Sequence, residues 1–212
     1  MSTNIGSRQS MMEKLVQVVL ESITKGKDLD RIDYLKCKLG LETFLINVSK
    51  LSIVYGIAIV VGLFWPVFIF HLAYVSIRTY AYGVHCESSF QCTIISCILL
   101  IGLPAILNIG LPAVLSIVQL PRISFIIIYV VSHLILKKYA PAATKKNGIT
   151  HLDEMRKENL RNKALRSNFI ILMISLLIPS LLIGNLLMIG NVLASLMTTP
   201  VAYKILRNEW RD

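Results

Sequence analysis

LSIVYGIAIVVGLFWPVFIFHLAYVSI, Leu51 to Ile77, is the stretch whose reading decides the fold. It holds no charged side chain, and a bilayer span needs roughly 20 apolar residues. The run is therefore either one long kinked span or the core of a hairpin. One span would leave the basic N-terminal region and the basic loop from Lys137 to Arg166 on opposite faces of a membrane. A hairpin puts them on the same face. Lysine and arginine concentrate in cytoplasmic loops, and with six spans 21 of the 22 basic residues share one side. The charge distribution therefore predicts the hairpin, with both termini cytoplasmic. Arg122, the remaining basic residue, falls near the outer end of the fourth span and can snorkel outward.

Outward from this stretch the pattern is uniform. No acidic residue lies between Glu42 and Glu87, or between Glu87 and Asp153, so carboxylates are absent from the expected membrane interior. Apolar segments fall at about 43–64, 66–80, 91–109, 120–137, 167–184 and 186–203, with turns expected at Pro66, Asn108 to Pro112 and Gly184-Asn185. The composition agrees: 55% of the 212 residues are hydrophobic and 16% charged, where ordinary globular chains have about a quarter charged. The mean hydropathy is +0.66. The expected fold is all-α and polytopic, about six transmembrane helices preceded by an amphipathic helix. It divides into a cytoplasmic N-terminal segment (1–42), a membrane-embedded domain (43–205) and a cytoplasmic tail (206–212).

The N-terminal apolar stretch, Met11 to Ile23, is interrupted by Glu13, Lys14, Gln17 and Glu21, unlike the apolar core of a signal peptide. Met12, Leu15, Val16, Val19, Leu20 and Ile23 recur at helical spacing, which predicts a helix lying at an interface or packed on another part of the protein. After Lys25-Gly26-Lys27, Asp28 or Asp30 can cap a second helix whose apolar face runs through Ile32, Leu35 and Leu39 toward Phe44 and into the membrane. The net charge of +10 thus has topology and anionic lipid headgroups as its partners, not nucleic acid. Four cysteines without a CxxC pair do not make a disulfide framework.

The chemistry-bearing stretch is Arg78-Thr-Tyr-Ala-Tyr-Gly-Val-His85-Cys86-Glu-Ser-Ser-Phe-Gln-Cys92. It places a histidine and a cysteine seven residues apart in a polar inlet between two spans, on the expected cytoplasmic side. Such a pair is the minimum for thiolate catalysis, because the imidazole can take the thiol proton and later protonate the leaving amine. On one continuous helix seven residues rise about 10 Å, too far for a direct hydrogen bond, so a turn must fold His85 back. Ser88-Ser89-Phe90-Gln91 fits a capping box, with Ser88 as N-cap and Gln91 at N3, and starts the third span there. Cys92 then sits in a first helical turn, where unpaired N–H groups and the helix dipole favour a thiolate. Gly83 frees the preceding loop for a tight bend. The plainer reading of the same residues is a loop histidine and a buried thiol.

Arg78, Gly83, His85 and Cys92, in the order Arg-x-x-x-x-Gly-x-His-x-x-x-x-x-x-Cys, resemble the signature of the accessory gene regulator B (AgrB) family, membrane endopeptidases that process autoinducing-peptide precursors in Gram-positive bacteria. Tyr139-Ala-Pro-Ala-Ala-Thr-Lys-Lys146 after the fourth span is similar to a second motif of that family. The resemblance covers roughly residues 30–205. Residues 1 to about 10 look like an extension, the stretch from Gly110 to Arg122 looks long, and Cys86 beside His85 departs from the pattern. The resemblance implies that Cys92, activated by His85, attacks a peptide bond of an AgrD-like propeptide and forms a thioester. A cysteine of the propeptide then attacks the thioester and closes a thiolactone. A site at the membrane boundary helps keep water from the intermediate. No cofactor or metal is implied, homodimerisation is, and the location implied is the cell membrane of a Gram-positive bacterium.

The supporting residues keep two readings each. Arg78 resembles a family arginine important for activity, which would neutralise substrate carboxylates or orient the loop; alone it reads as a snorkelling anchor. Lys145 and Lys146, with the basic cluster through Arg166, would dock an acidic propeptide tail, or serve topology and lipid headgroups alone. His71 and His133 read as structural hydrogen-bonding groups within spans, and Cys37 and Cys97 as structural thiols. Zinc ligation by His85, Cys86, Cys92 and Cys97 fits no zinc template. A small transporter or peptide-export component is the alternative function, supported by polar breaks at Asn108, Gly184-Asn185 and Gly190-Asn191.

Overall fold

The computed structural model describes residues 11–25, 30–84, 89–110, 121–143 and 152–206. Among them the ordered elements are helices: α1 (Met11–Thr24), α2 (Arg31–Val60), α3 (Phe64–Ala81), α4 (Ser89–Cys97), α5 (Arg122–Tyr139), α6 (Glu154–Leu177), α7 (Leu181–Leu196) and α8 (Pro200–Ile205). Beyond Cys97, α4 continues as π-helical Ile98–Gly102, one α-turn at Leu103–Ala105 and a second π-helical stretch, Ile106–Gly110. By backbone contacts the chain forms two compact units, Met1–Ile53 and Val54–Asp212. By length and composition, two described helices can cross a membrane: Arg31–Val60 and Phe90–Asn108.

The helix α1 forms where the apolar spacing predicts it, with Gln17 donating to Glu21 at 3.1 Å on its polar side. Asp30 starts α2, its carboxylate accepting from the Arg31 N–H at 2.7 Å and its carbonyl from that of Tyr34 at 2.9 Å. The 30 residues of α2 extend about 45 Å at 1.5 Å per residue, more than the ~30 Å hydrocarbon core of a bilayer. Its first turns are charged, and there Lys36 pairs with Asp33 at 2.9 Å.

The chain reverses after α2, but not at Pro66. Gly62 takes φ 72°, the Leu63 N–H returns to the Ala58 carbonyl at 2.8 Å and the Gly62 N–H to that of Ile59 at 3.1 Å. This is a Schellman closure, which needs a left-handed residue that glycine supplies without strain. Pro66 lies within the first turn of α3, where its missing N–H would have no intrahelical partner anyway. The reversal brings Tyr55 to His71, hydroxyl to Nδ1 at 2.8 Å, so Leu51 to Ile77 is a hairpin and His71 is a structural hydrogen-bonding group. His133, expected to play a similar part, has an Nδ1 without a hydrogen-bond partner and lies against the Tyr129 ring.

The helices α3, α5, α6 and α7 pack on one another around Ile77, Phe125, Leu136, Ile171, Leu172 and Met188. Val54 and Ala58 of α2 join Val67, Phe70, Leu100 and Leu186 in a second cluster. The break between α6 and α7 falls at Ile178 to Ser180, not at Gly184-Asn185. Pro179 cannot continue α6 and drives Ile178 to an extended backbone (ψ 127°), and Ser180 caps α7 by accepting from the Ile183 N–H at 3.4 Å. Both glycine–asparagine pairs lie inside α7. Asn191 donates its amide to fully buried Asn168 of α6 at 2.6 Å. These polar residues are thus helix-packing groups, and the breaks that supported a transporter at Gly184-Asn185 and Gly190-Asn191 are absent. Asn108 lies in the second π-helical stretch. The expected sixth segment also divides, because Thr199 and Pro200 end the turn after α7 and start α8. Arg122 reaches the carbonyls of Ile178 and Pro179 at 3.3 and 3.1 Å, so it ties the start of α5 to the α6–α7 turn while remaining exposed.

Candidate functional site

The site is built at the end of α3. Arg78, in the last turn of α3 and half-buried, donates from Nη1 to the Tyr82 carbonyl and from Nη2 to the Val84 carbonyl. Both acceptors belong to the segment that leads into His85. A guanidinium presents several donors in a fixed planar fork, so one side chain sets the spacing of the two carbonyls. Arg78 thus ties down residues 82–84, the stretch that precedes His85 in the chain.

Gly83 lies between those two acceptors with φ 114°. A Cβ there would overlap the Arg78 guanidinium and come within 2.5 Å of the Met197 carbonyl oxygen. The Val84 N–H donates to that same Met197 carbonyl at 3.0 Å. The bend that the sequence assigns to Gly83 is therefore a close passage between Arg78 and the end of α7.

The two sequence motifs meet here. Ala142, from Tyr139-Ala-Pro-Ala-Ala, donates its N–H to the Ala81 carbonyl at 2.9 Å, and Tyr82 and Ala142 form an isolated parallel bridge. The second motif is anchored on its other sides by the Arg161 Nε, which donates to the Ala140 carbonyl at 2.8 Å, and by the Tyr203 hydroxyl, which donates to the Ala143 carbonyl at 2.9 Å. In the sequence Arg161 belongs to a basic cluster, and nothing marks Tyr203 or Met197. Each acts through, or on, a backbone carbonyl, so residue type gives no signal of the partnership.

Cys92 is half-buried in the first turn of α4, which starts at Ser89 as the capping pattern predicts. Gln91 is exposed. His85, Cys86, Ser88, Lys145 and Lys146 lie outside the described residues. Thr79 on α3 returns its hydroxyl to the Val75 carbonyl at 2.7 Å, and Cys97 falls five residues beyond Cys92 on a different face of α4. The described geometry is therefore a fixed approach to His85, held by Arg78, Gly83, Met197 and Ala142, followed by a helix that carries a cysteine in its first turn.

The comparisons with known proteins agree with the family resemblance. A family model described as accessory gene regulator B matches residues 12–199, which takes in nearly all of α1 and of the expected 30–205 region and leaves residues 1–11 and 200–212 outside. An AgrB-like protein of Listeria monocytogenes serotype 4a (strain HCC23) is 30% identical over 210 residues, 99% of this chain and 97% of that protein. The accessory gene regulator protein B of Staphylococcus carnosus (strain TM300) is 35% identical over 195 residues, 92% of this chain and 96% of that one. An AgrB-like protein of Clostridium acetobutylicum is 28% identical over 205 residues, 97% and 93% of the two chains. No solved structure matches. With a family model over most of its length and relatives aligned nearly end to end, the chain belongs to the accessory gene regulator B family, and through it to the accessory gene regulator quorum-sensing system.

Proposed function

We propose that the chain is a multi-pass cysteine endopeptidase of a Gram-positive cell membrane that processes an AgrD-like quorum-sensing propeptide. The observation that carries this reading is the meeting of the two motifs at Ala81–Val84 and Ala142, directly before His85 and one loop before Cys92. That much backbone fixation ahead of a histidine is what a general base requires, since catalytic groups act only within hydrogen-bond reach of the proton they move.

His85 takes the Cys92 proton, and the Cys92 sulfur attacks the carbonyl carbon of the scissile bond. The peptide C–N bond then breaks, with the His85 imidazolium returning the proton to the departing amine of the tail. The product is an acyl thioester on Cys92. A propeptide cysteine attacks this thioester, the new C–S bond closes the ring, and the Cys92 sulfur leaves and regains a proton. One thioester replaces another, so the second step does not need the energy that lactonisation of an amide would. Arg78 and Gly83 orient the His85 segment, Ser88 and Gln91 cap α4, and Lys145 and Lys146 attract the acidic tail. The reading includes six spans with both termini and the site on the cytoplasmic face, contact with membrane lipids and a homodimer.

The test is co-expression with the propeptide, scored by release of the tail. Cys92→Ala should abolish cleavage while membrane insertion is retained. Processing by that variant, with Cys86 as the substitute nucleophile, would overturn the assignment of Cys92.

A further inference from the structure

Beside the candidate site lies an apolar cavity of about 880 Å³, within the range of ligand pockets, roughly 300–1,000 Å³. One wall is Ile95 and Leu99 beyond Cys92; the opposite wall is Leu193, Leu196 and Met197 at the end of α7. Two connections tie it to the site. Ile95 stands three residues after Cys92 on α4, hence on the same helical face. Met197 lines the cavity and also accepts the hydrogen bond from Val84, the residue before His85. The cavity therefore lies between the element that carries the thiol and the element that holds the approach to the histidine.

Its border is basic. Tyr139 lines it, and the exposed Lys138 ammonium lies 5.2 Å from the Tyr139 ring centroid. Exposed Lys204 directly precedes Ile205, another lining residue. An apolar floor beside a nucleophile with cations at its border is complementary to a peptide whose apolar side chains sit at the bond attacked and whose acidic residues lie beyond it.

We infer that this cavity is the specificity groove of the peptidase, receiving the apolar side chains that flank the scissile bond of the propeptide. The inference rests on the proposed peptidase reading and deepens it. Ile95 and Leu196 are the residues on which specificity should be read, because they line the groove yet belong to neither core cluster. Filling it through them leaves the packing of the helices in place.

The experiment uses the full chain in proteoliposomes with a propeptide series in which the apolar residues flanking the scissile bond are, in turn, large or alanine. Ile95→Trp and Leu196→Trp should raise KM for the large-residue propeptide about tenfold or more, the scale of a methylene-sized misfit in an apolar pocket. The rise in KM should be markedly smaller for the alanine propeptide, so that the variants narrow or invert the preference between the two substrates. Alkylation of Cys92 by a maleimide at the wild-type rate checks that the variants are folded. Equal KM values across the series in variant and wild type would overturn the groove and assign the cavity to lipid acyl chains. A uniform loss for every propeptide would overturn it as well. If the wild-type chain cleaves none of the propeptides, the peptidase reading itself falls, and this inference with it.

Discussion

Replacing Arg78 by lysine keeps the positive charge and removes the fork. Nη1 and Nη2 of Arg78 engage two different carbonyls, those of Tyr82 and Val84. A lysine ammonium carries its donors on a single atom at the end of a flexible stem, and so serves one of the two at a time. The loss is one charge-assisted hydrogen bond, about 1.5–3 kcal/mol. At about 1.36 kcal/mol per tenfold in rate, a loss expressed in the placement of His85 slows tail release roughly ten- to a hundredfold. The assay is tail release at saturating propeptide in proteoliposomes, run with the natural acidic tail and with a tail whose carboxylates are replaced by amides. If Arg78 orients the loop, kcat falls by the same factor for both tails, and added salt leaves that factor unchanged. A wild-type kcat in Arg78→Lys, or a defect confined to KM for the acidic tail and relieved by salt, would refute the reasoning. Either result would return the guanidinium to the substrate or to the membrane interface.

Two further perturbations probe the same frame. Gly83→Ala places a methyl group against the Arg78 guanidinium and within 2.5 Å of the Met197 oxygen, at φ 114°. The left-handed penalty for a side chain is about 1–2 kcal/mol before the overlap is counted. Processing should therefore fall by at least about tenfold at 1.36 kcal/mol per decade, with helix content by circular dichroism unchanged. Asn168→Leu and Asn191→Leu each strand a fully buried amide whose partner is 2.6 Å away, at a cost of about 1–3 kcal/mol. The double variant should lose less stability than the sum of the singles, measured as thermal midpoints in detergent; additive losses would deny the pair its role in joining α6 and α7.

The candidate site was partly legible because capping and turn chemistry are local. The start of α4 at Ser89 follows from Ser88 to Gln91, and the bend at Gly83 follows from a residue that accepts φ 114°. The α6–α7 break was less legible. Gly184-Asn185 looks like a turn in isolation, yet Pro179 is the break, and the tightly packed surroundings of Gly184 and Asn185 override their weak helix preference. The second division, before α8, has the same origin in a proline, Pro200.

What the sequence by itself determined is which segments are apolar, where their charges sit and how the first hairpin must run. Hydropathy and charge are properties of each segment alone, and they need no knowledge of its neighbours. What only the tertiary structure decided is the convergence of Ala142 on Ala81, Val84 on Met197, Arg161 on Ala140 and Tyr203 on Ala143. In each the acceptor is a main-chain carbonyl, a group that every residue carries alike. Side-chain identity therefore cannot encode which carbonyl a donor meets, and packing of the helices α3, α5, α6 and α7 makes that selection.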